Sequence, residues 1–170
     1  MDRNKVKVRR KIVSVSILKW LISGLLISGI VFSSSCGSPS DSELQRSEKL
    51  WQSQNLKSYD FTLTRQCFCP EEWRGPVNIL VRNGTVTSVT YTTSGQAAEA
   101  DRFGDVDTID ELFDVIRDAY EGNNTFDQKA EAVNVTYHPE LGYPQTIYID
   151  VSTMIADEEQ GYTIENLVAR

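Results

Sequence analysis

An apolar segment behind a basic head most constrains this chain, because it separates a leader from the part that is left to fold. Residues 20–32 carry no charge. The basic residues ahead of residue 12 are Arg3, Lys5, Lys7, Arg9, Arg10 and Lys11. Such a head stays on the cytoplasmic side of a membrane. The order of basic, apolar and then small residues is typical of an export signal, which predicts a domain outside the cytoplasm.

The apolar segment ends in the sequence Ser-Ser-Ser-Cys-Gly at residues 33–37. This ending resembles a bacterial lipoprotein signal, in which the leader is removed and the cysteine receives lipid. The resemblance implies a signal peptide over residues 1–35, lipid at Cys36 and a polar tether over residues 36–41. The domain would then face the periplasm or the exterior, anchored to the cell membrane or the outer membrane. The alternative is an uncleaved membrane anchor, because residues 13–32 reach the roughly 20 residues that span a bilayer if Lys19 snorkels.

The chain after the leader is strongly acidic. The full sequence has a net charge of −7, and residues 1–35 hold seven basic residues and one acidic residue, so residues 36–170 carry −13. Such a surface repels phosphate backbones, which excludes nucleic acid as a partner. Residues 42–170 suit a single domain with one core.

Two segments are predicted to be helical. The first covers residues 42–56 and begins with a capping box at Ser42. Its expected buried residues are Leu44, Leu50 and Trp51. The second begins with a capping box at Thr108 and ends at Gly122. Its apolar stripe consists of Ile109, Leu112, Phe113, Ile116 and Tyr120.

Six strands are predicted from alternation and turn signals. Residues 59–69 alternate, with Tyr59, Phe61, Leu63, Cys67 and Cys69 on one face. Residues 77–81 and 86–91 flank an Asn-Gly pair, which indicates a hairpin, with a β-bulge near Thr87. Residues 92–107 are predicted to form a surface loop. The last three strands are expected over residues 133–137, 145–151 and 162–168.

The order of elements is α-βββ-α-βββ. Neither an amphipathic helix nor a one-sided sheet can bury its apolar face alone, and layering them together buries both. We therefore predict an α+β fold, with two helices on one face of an antiparallel sheet of about six strands.

Cys67 and Cys69 remain as an even pair once lipid occupies Cys36, which favours a disulfide in an oxidising compartment. An extended strand rises about 3.3 Å per residue, so the backbone must buckle to bring the two Cα atoms within the usual limit of about 6.8 Å. A redox role and a metal site are the alternatives. The familiar redox exchange motif has two residues between its cysteines and lies at the start of a helix, unlike this pair. Zinc takes four ligands. Nothing in the sequence predicts that the single histidine, His138, approaches the two cysteines.

Acidic residues form two further groups, one of Asp101, Asp105, Asp107 and Asp110 and one at residues 157–159. Neither has the glycine and distant glutamate of a calcium-binding EF-hand loop, so solvated loops are expected. The sequence also lacks a nucleophile elbow, a phosphate loop and a histidine-based triad. We therefore expect no catalytic residues, no metal site and no cofactor.

Several short motifs occur together in this chain. They are the Cys-Phe-Cys-Pro sequence at residues 67–70, the Asn-Gly turn at 83–84, the helix start at 108–113, Gly-Tyr-Pro at 142–144 before the strand at 147–150, and the acidic residues 157–159. This set resembles the bacterial family known as domain of unknown function 6174, over residues 44–168. The resemblance implies an exported or lipid-anchored protein and a domain boundary, and it brings no known activity, cofactor or catalytic residue.

Two classes of function follow from these features. The first is a non-enzymatic module of the cell envelope, held to the membrane through lipid at Cys36 and binding a protein of the envelope. The second is a thiol-active periplasmic protein that uses Cys67 and Cys69. The redox state of these two cysteines distinguishes the two hypotheses.

Overall fold

The computed structural model describes residues 39–99 and 101–170. These residues form two α-helices, six β-strands and one short 3-10 helix at Glu71–Trp73. The helices are α1 (Pro39–Ser53) and α2 (Ile109–Glu121). The strands are β1 (Tyr59–Gln66), β2 (Val77–Arg82), β3 (Thr85–Tyr91), β4 (Ala132–Tyr137), β5 (Pro144–Asp150) and β6 (Gln160–Ala169). The predicted order of elements is confirmed.

All six strands join one antiparallel sheet in the order β3-β2-β1-β6-β5-β4. The first half of the described chain supplies β1 to β3, and the second half supplies β4 to β6. β1 and β6 meet at the centre of the sheet, whereas β3 and β4 form its edges. The fold is the predicted α+β class.

The core lies between the helices and one face of the sheet. Tyr59 and Phe61 of β1 point into it and are buried. The ring of Trp51 in α1 meets the ring of Tyr59 edge-on, with 5.3 Å between centroids. The ring of Phe113 in α2 stacks on that of Tyr137 in β4 at 6.2 Å. Both helices therefore cover the same face, as predicted.

The helix α2 begins and ends as its sequence predicts. The Thr108 hydroxyl accepts the backbone N–H of Glu111 at 3.2 Å, and the Glu111 carboxylate accepts the backbone N–H of Thr108 at 3.0 Å. Gly122 adopts a left-handed conformation, with φ of 89°, and donates its N–H to the Asp118 carbonyl at 2.8 Å. The predicted stripe is buried except for Tyr120, which is half-buried.

The β2–β3 hairpin turns at the predicted Asn-Gly pair, where both residues have positive φ. Leu80 pairs with Ser88, but the next residue of β2 pairs with Val86. Thr87 is therefore the extra residue of a β-bulge. The bulge brings both valines of β3 against the core, as expected from their positions in the sequence.

The start of α1 differs from the prediction. The helix begins at Pro39 and not at Ser42, so its first residues lie inside the predicted tether. It also ends at Ser53, before the predicted end at residue 56. Proline is favoured in the first turn of a helix, because its missing N–H has no intrahelical partner there. This signal outweighs the capping box that Ser42 indicated. Leu44 and Trp51 are buried as expected, and Leu50 is half-buried.

The segment over residues 92–107 is only partly a surface loop. Phe103 and Val106 are buried at 1% and 0% exposure. The beginning of the segment folds back along β3, where the Ala98 N–H donates to the Val89 carbonyl at 2.9 Å. The prediction of a surface loop is therefore wrong for its second half, which contributes to the core.

The predicted signal peptide and the lipidation site at Cys36 lie outside the described residues. Within the part of the chain that is described, neither helix is long and apolar enough to cross a membrane.

Candidate functional site

Cys67 and Cys69 lie in a turn at residues 67–70, which we call the cysteine turn. The prediction that they extend β1 is wrong, because that strand ends at Gln66. Their Cα atoms are 5.2 Å apart and their sulfur atoms are joined as a disulfide. The backbone thus buckles after the strand, which brings the pair within the distance that a disulfide needs. Oxidation of the pair in the mature protein stays a prediction.

Hydrogen bonds to neighbouring backbone hold the cysteine turn in place. The Arg74 side chain donates from Nε and Nη2 to the Cys69 carbonyl, at 2.9 and 2.6 Å. The Trp73 N–H donates to the Pro70 carbonyl at 3.0 Å, and the Arg65 N–H donates to the Arg74 carbonyl at 2.7 Å. The turn is therefore tied both to the 3-10 helix and to the end of β1.

Arg65 occupies a core position at the end of β1 and is 9% exposed. Its Nη2 atom lies 2.6 Å from the Asp105 carboxylate. Its guanidinium lies 5.6 Å from the ring centroid of Phe103 and 5.7 Å from that of Tyr162. An ion pair and two aromatic faces thus compensate for the buried charge, which explains how an arginine fits an otherwise apolar face.

A cleft of about 390 Å³ lies beside the cysteine turn. Five segments line it: the end of β1, the cysteine turn, the chain before α2, the chain after α2, and the start of β6 with the loop before it. Two aromatic side chains stand at its rim, Phe68 with 79% exposure and Phe126 with 43%. Exposed aromatic groups beside a cleft are typical of surfaces that bind a partner.

The acidic loop, residues 157–159, makes the cleft negative. The Glu158 carboxylate accepts the backbone N–H groups of Val151 at 3.1 Å and Ser152 at 2.6 Å, so this side chain holds the loop together. No hydrogen bond or ion pair among the described residues reaches the carboxylates of Asp157 and Glu159. Since Asp105 already neutralises Arg65, the lining carboxylates that remain give the cleft a negative charge.

The other acidic candidates do not converge on one site. Asp105 pairs with Arg65, and Asp110 accepts the indole N–H of Trp51 at 3.1 Å. Burial raises the pKa of Asp107 to about 7, and a hydrogen bond to Glu111 contributes.

His138 lies in the turn between β4 and β5. Its Nδ1 atom accepts the backbone N–H groups of Glu140 at 3.3 Å and Leu141 at 3.2 Å, and its ring stacks on Tyr143. These contacts indicate a structural role. Among the described residues, no three Cys, His, Asp or Glu side chains converge as they would around a metal ion.

Sequence reasoning did not identify Phe68 and Phe126 as residues of a site. Phe68 could have been found, because a residue between two cysteines that turn toward each other must point away from them. Phe126 follows a helix end in a loop of polar residues, and nothing in that pattern distinguishes it from a core residue.

Comparison with known proteins identifies a family. The model of a family of unknown function, DUF6174, matches residues 43–169. No curated protein and no solved structure matches the chain.

Proposed function

Because the chain belongs to the family of unknown function DUF6174, we propose its function from its own residues: a lipid-anchored protein of the cell envelope whose domain is a non-enzymatic binding module. The partner we propose is another protein of the envelope. The domain contacts it through the cleft beside the cysteine turn.

The exposed ring of Phe68 is the observation that carries this proposal. The Phe68 ring is 79% exposed, so covering it with a partner would lower the free energy of the complex. The residues on both sides of it are fixed by the bridge and by Arg74, so little conformational entropy is lost on binding. Large, pre-positioned aromatic side chains are the usual anchors of protein interfaces.

The anchor is supported by the order of residues around Cys36. Only Gly37 and Ser38 separate this cysteine from the first residue of α1. A few residues of extended chain span at most about 3.6 Å each. Lipid at Cys36 would therefore hold the domain within reach of other proteins at the same membrane.

Site-specific photo-crosslinking in the native envelope tests the binding module. A photoreactive phenylalanine analogue is placed at Phe68, at Phe126 and, as a control, at Val168. Val168 is also an exposed apolar residue, with 46% exposure, but it lies near the end of β6, whereas the cleft is at the start of that strand. We expect the same adduct from the first two positions and none from the control. Equal adducts at all three positions, or none at Phe68, would contradict the proposal.

A thiol-active protein is the second candidate, since both cysteines line the cleft and are only half-buried. A partner thiolate could attack the bridge there and form a mixed disulfide. In the Cys69→Ser variant, which has no bridge, the Cys67 thiolate would instead attack a disulfide of an oxidised partner and expel one partner thiolate, and the mixed disulfide would persist because no second cysteine can resolve it. A trapped mixed disulfide that disappears on reduction would favour this candidate, whereas crosslinks at Phe68 that persist without both cysteines would favour the binding module.

A further inference from the structure

The two edges of the sheet differ in how they are covered. At β3, the chain that follows folds back along the edge: the Tyr91 N–H donates to the Gln96 carbonyl, and the Ala98 N–H donates to the Val89 carbonyl, both at 2.9 Å. The bulge at Thr87 further interrupts this edge. Covering and bulging are usual ways of preventing an edge strand from pairing with another chain.

The other edge, β4, presents unpaired backbone groups. The Glu131 N–H donates to the Val151 carbonyl, which fixes the alternation of the antiparallel ladder between β4 and β5. In this register the N–H and C=O groups of Ala132, Asn134 and Thr136 point away from β5. Among the described residues, no hydrogen bond reaches these outward backbone groups.

The sequence of β4 does not protect its edge. The strand reads Ala-Val-Asn-Val-Thr-Tyr, without a charged residue or a proline, and its register shifts only at its end, between Thr136 and Tyr137. Lysine, proline or a central bulge would discourage pairing. Six residues of strand offer a ladder of about 20 Å.

A groove of about 420 Å³ follows this edge, and its lining includes residues 133–137, Glu43 and Tyr120, with Thr146 and Tyr148 of β5. Val133 and Val135 are partly exposed in it and pack against the core from their inner side. No ion pair among the described residues reaches Glu43. The groove thus offers alternating apolar contacts and one carboxylate beside an open row of backbone groups.

We propose that an extended segment of another protein, bearing lysine or arginine, pairs with β4 as a seventh strand of the sheet. Strand addition of this kind takes its affinity from the backbone ladder and its specificity from alternate side chains. The net charge of the chain distinguishes two possible occupants of this edge, a second copy of the chain and a basic segment of another protein. Residues 36–170 carry −13, so a second copy would be repelled, whereas a basic segment would be attracted and could place a cation beside Glu43.

The electrostatics of the neighbouring tyrosine are consistent with this choice. The pKa of Tyr137 is raised, mainly by burial, and the negative charges of Glu43 and Glu48 contribute. A cation docked along the groove would offset this negative field.

The test is a pair of substitutions at one outward position. Asn134→Pro removes an N–H that the sheet does not use, and proline is tolerated on an edge strand where its nitrogen faces solvent. Asn134→Ala removes the same side chain and keeps the N–H. The probe is a peptide that alternates valine and lysine, N-methylated along one edge so that it cannot associate with itself. We expect the proline variant to bind it about tenfold more weakly or worse, and the alanine variant to bind it like the original protein.

A second peptide, with glutamate in place of lysine, tests the charge. It should bind at least about tenfold more weakly at low salt, and the difference should shrink as salt is added. Equal binding of both peptides, or full binding by a correctly folded proline variant, would overturn the proposal.

Amide hydrogen exchange gives a readout that needs no variant. In the free protein, the amides of Ala132, Asn134 and Thr136 should exchange faster than those of Val133 and Val135, and the lysine peptide should protect them. Protection before the peptide is added would mean that the edge is already covered by this chain or by a second copy. A dimer in light scattering would then identify the second copy, and either result rejects the proposal.

Discussion

The phenol oxygen of Tyr59 accepts a hydrogen bond from the backbone N–H of Ile109 at 3.2 Å, and this contact joins the start of β1 to the first turn of α2. Burial raises the pKa of Tyr59 to about 12, so the hydroxyl stays neutral. The N–H at the first helical position has no partner within the helix. Tyr59 therefore satisfies a buried donor across 50 residues of sequence.

Replacing Tyr59 by phenylalanine should lower the free energy of unfolding by about 1–3 kcal/mol, because the Ile109 N–H would be left buried without an acceptor. Urea unfolding measures this effect. Tyr148→Phe is the matched control, since Tyr148 is 41% exposed, and it should change stability by less than about 0.5 kcal/mol. Equal effects of the two substitutions would show that this hydrogen bond adds nothing to the free energy of unfolding.

Truncating a side chain in the buried stripe of α2 should destabilise the domain strongly. Phe113 and Ile116 are 1% and 0% exposed, so either change to alanine should cost about 2–5 kcal/mol through lost burial and a residual cavity. Thermal unfolding of the domain is the measurement. Lys49→Ala on the exposed side of α1 serves as the control, and unchanged midpoints for both core variants would contradict the packing.

Replacing Cys67 and Cys69 together by serine should leave the fold intact and reduce stability modestly. The loop that the bridge closes has a sequence separation of 2, so the entropy it removes from the unfolded chain corresponds to less than about 2 kcal/mol. Alkylation of fresh, unreduced protein followed by peptide mass analysis gives the redox state. Two free thiols would reject the bridge, and zinc bound at one ion per chain would support the metal alternative.

Stability should depend on pH through Asp107. Burial, the largest cause, and a hydrogen bond to Glu111 raise the pKa of Asp107 from 3.8 to about 7. Folding therefore favours the protonated carboxyl. Its contribution to stability is complete below the unfolded pKa and is lost as the pH rises through about 7.

Asp107→Asn imitates the protonated form at every pH. The variant should unfold at a higher temperature than the original protein at pH 8, and the difference should shrink as the pH falls and vanish below the unfolded pKa of 3.8. Thermal unfolding across this range is the measurement. A difference that does not change with pH would show that Asp107 ionises in the folded state as it does in the unfolded chain.

Mass analysis of protein extracted from membranes tests the anchor. We expect a chain that begins at Cys36 and carries lipid, since small residues and a cysteine follow the apolar segment. An unmodified chain that retains Met1 would contradict lipidation and support the uncleaved anchor instead.

Features set by neighbouring residues were predicted well. The caps of α2 and the bulge at Thr87 depend on a few consecutive side chains, and the structure has them as expected. The start of α1 was misplaced by a few residues because two local signals compete there, a proline at residue 39 and a serine at residue 42. Phe103 is buried in contact with Arg65, a residue far away in the sequence. No local pattern around Phe103 therefore indicated its burial.

The candidate binding surfaces could be predicted only in part. Their cysteines were visible in the sequence, but the cleft is assembled from five segments whose proximity depends on the complete sheet. The open edge at β4 depends on strand order, and alternation within a strand carries no information about its neighbours. Phe126 and the outward amides of β4 therefore needed the tertiary structure.

The pairing of β1 with β6 has a consequence for how the protein is made. The residues it brings together, such as Thr62 and Glu165, lie at opposite ends of the domain sequence, and contacts of such long range slow folding. Until β6 emerges, β1 and β5 both lack a neighbour, so the two halves can form only as separate three- and two-stranded pieces. A nascent or exported chain that loses its last strand would thus expose two central edges at once, and it should aggregate or be degraded before it folds.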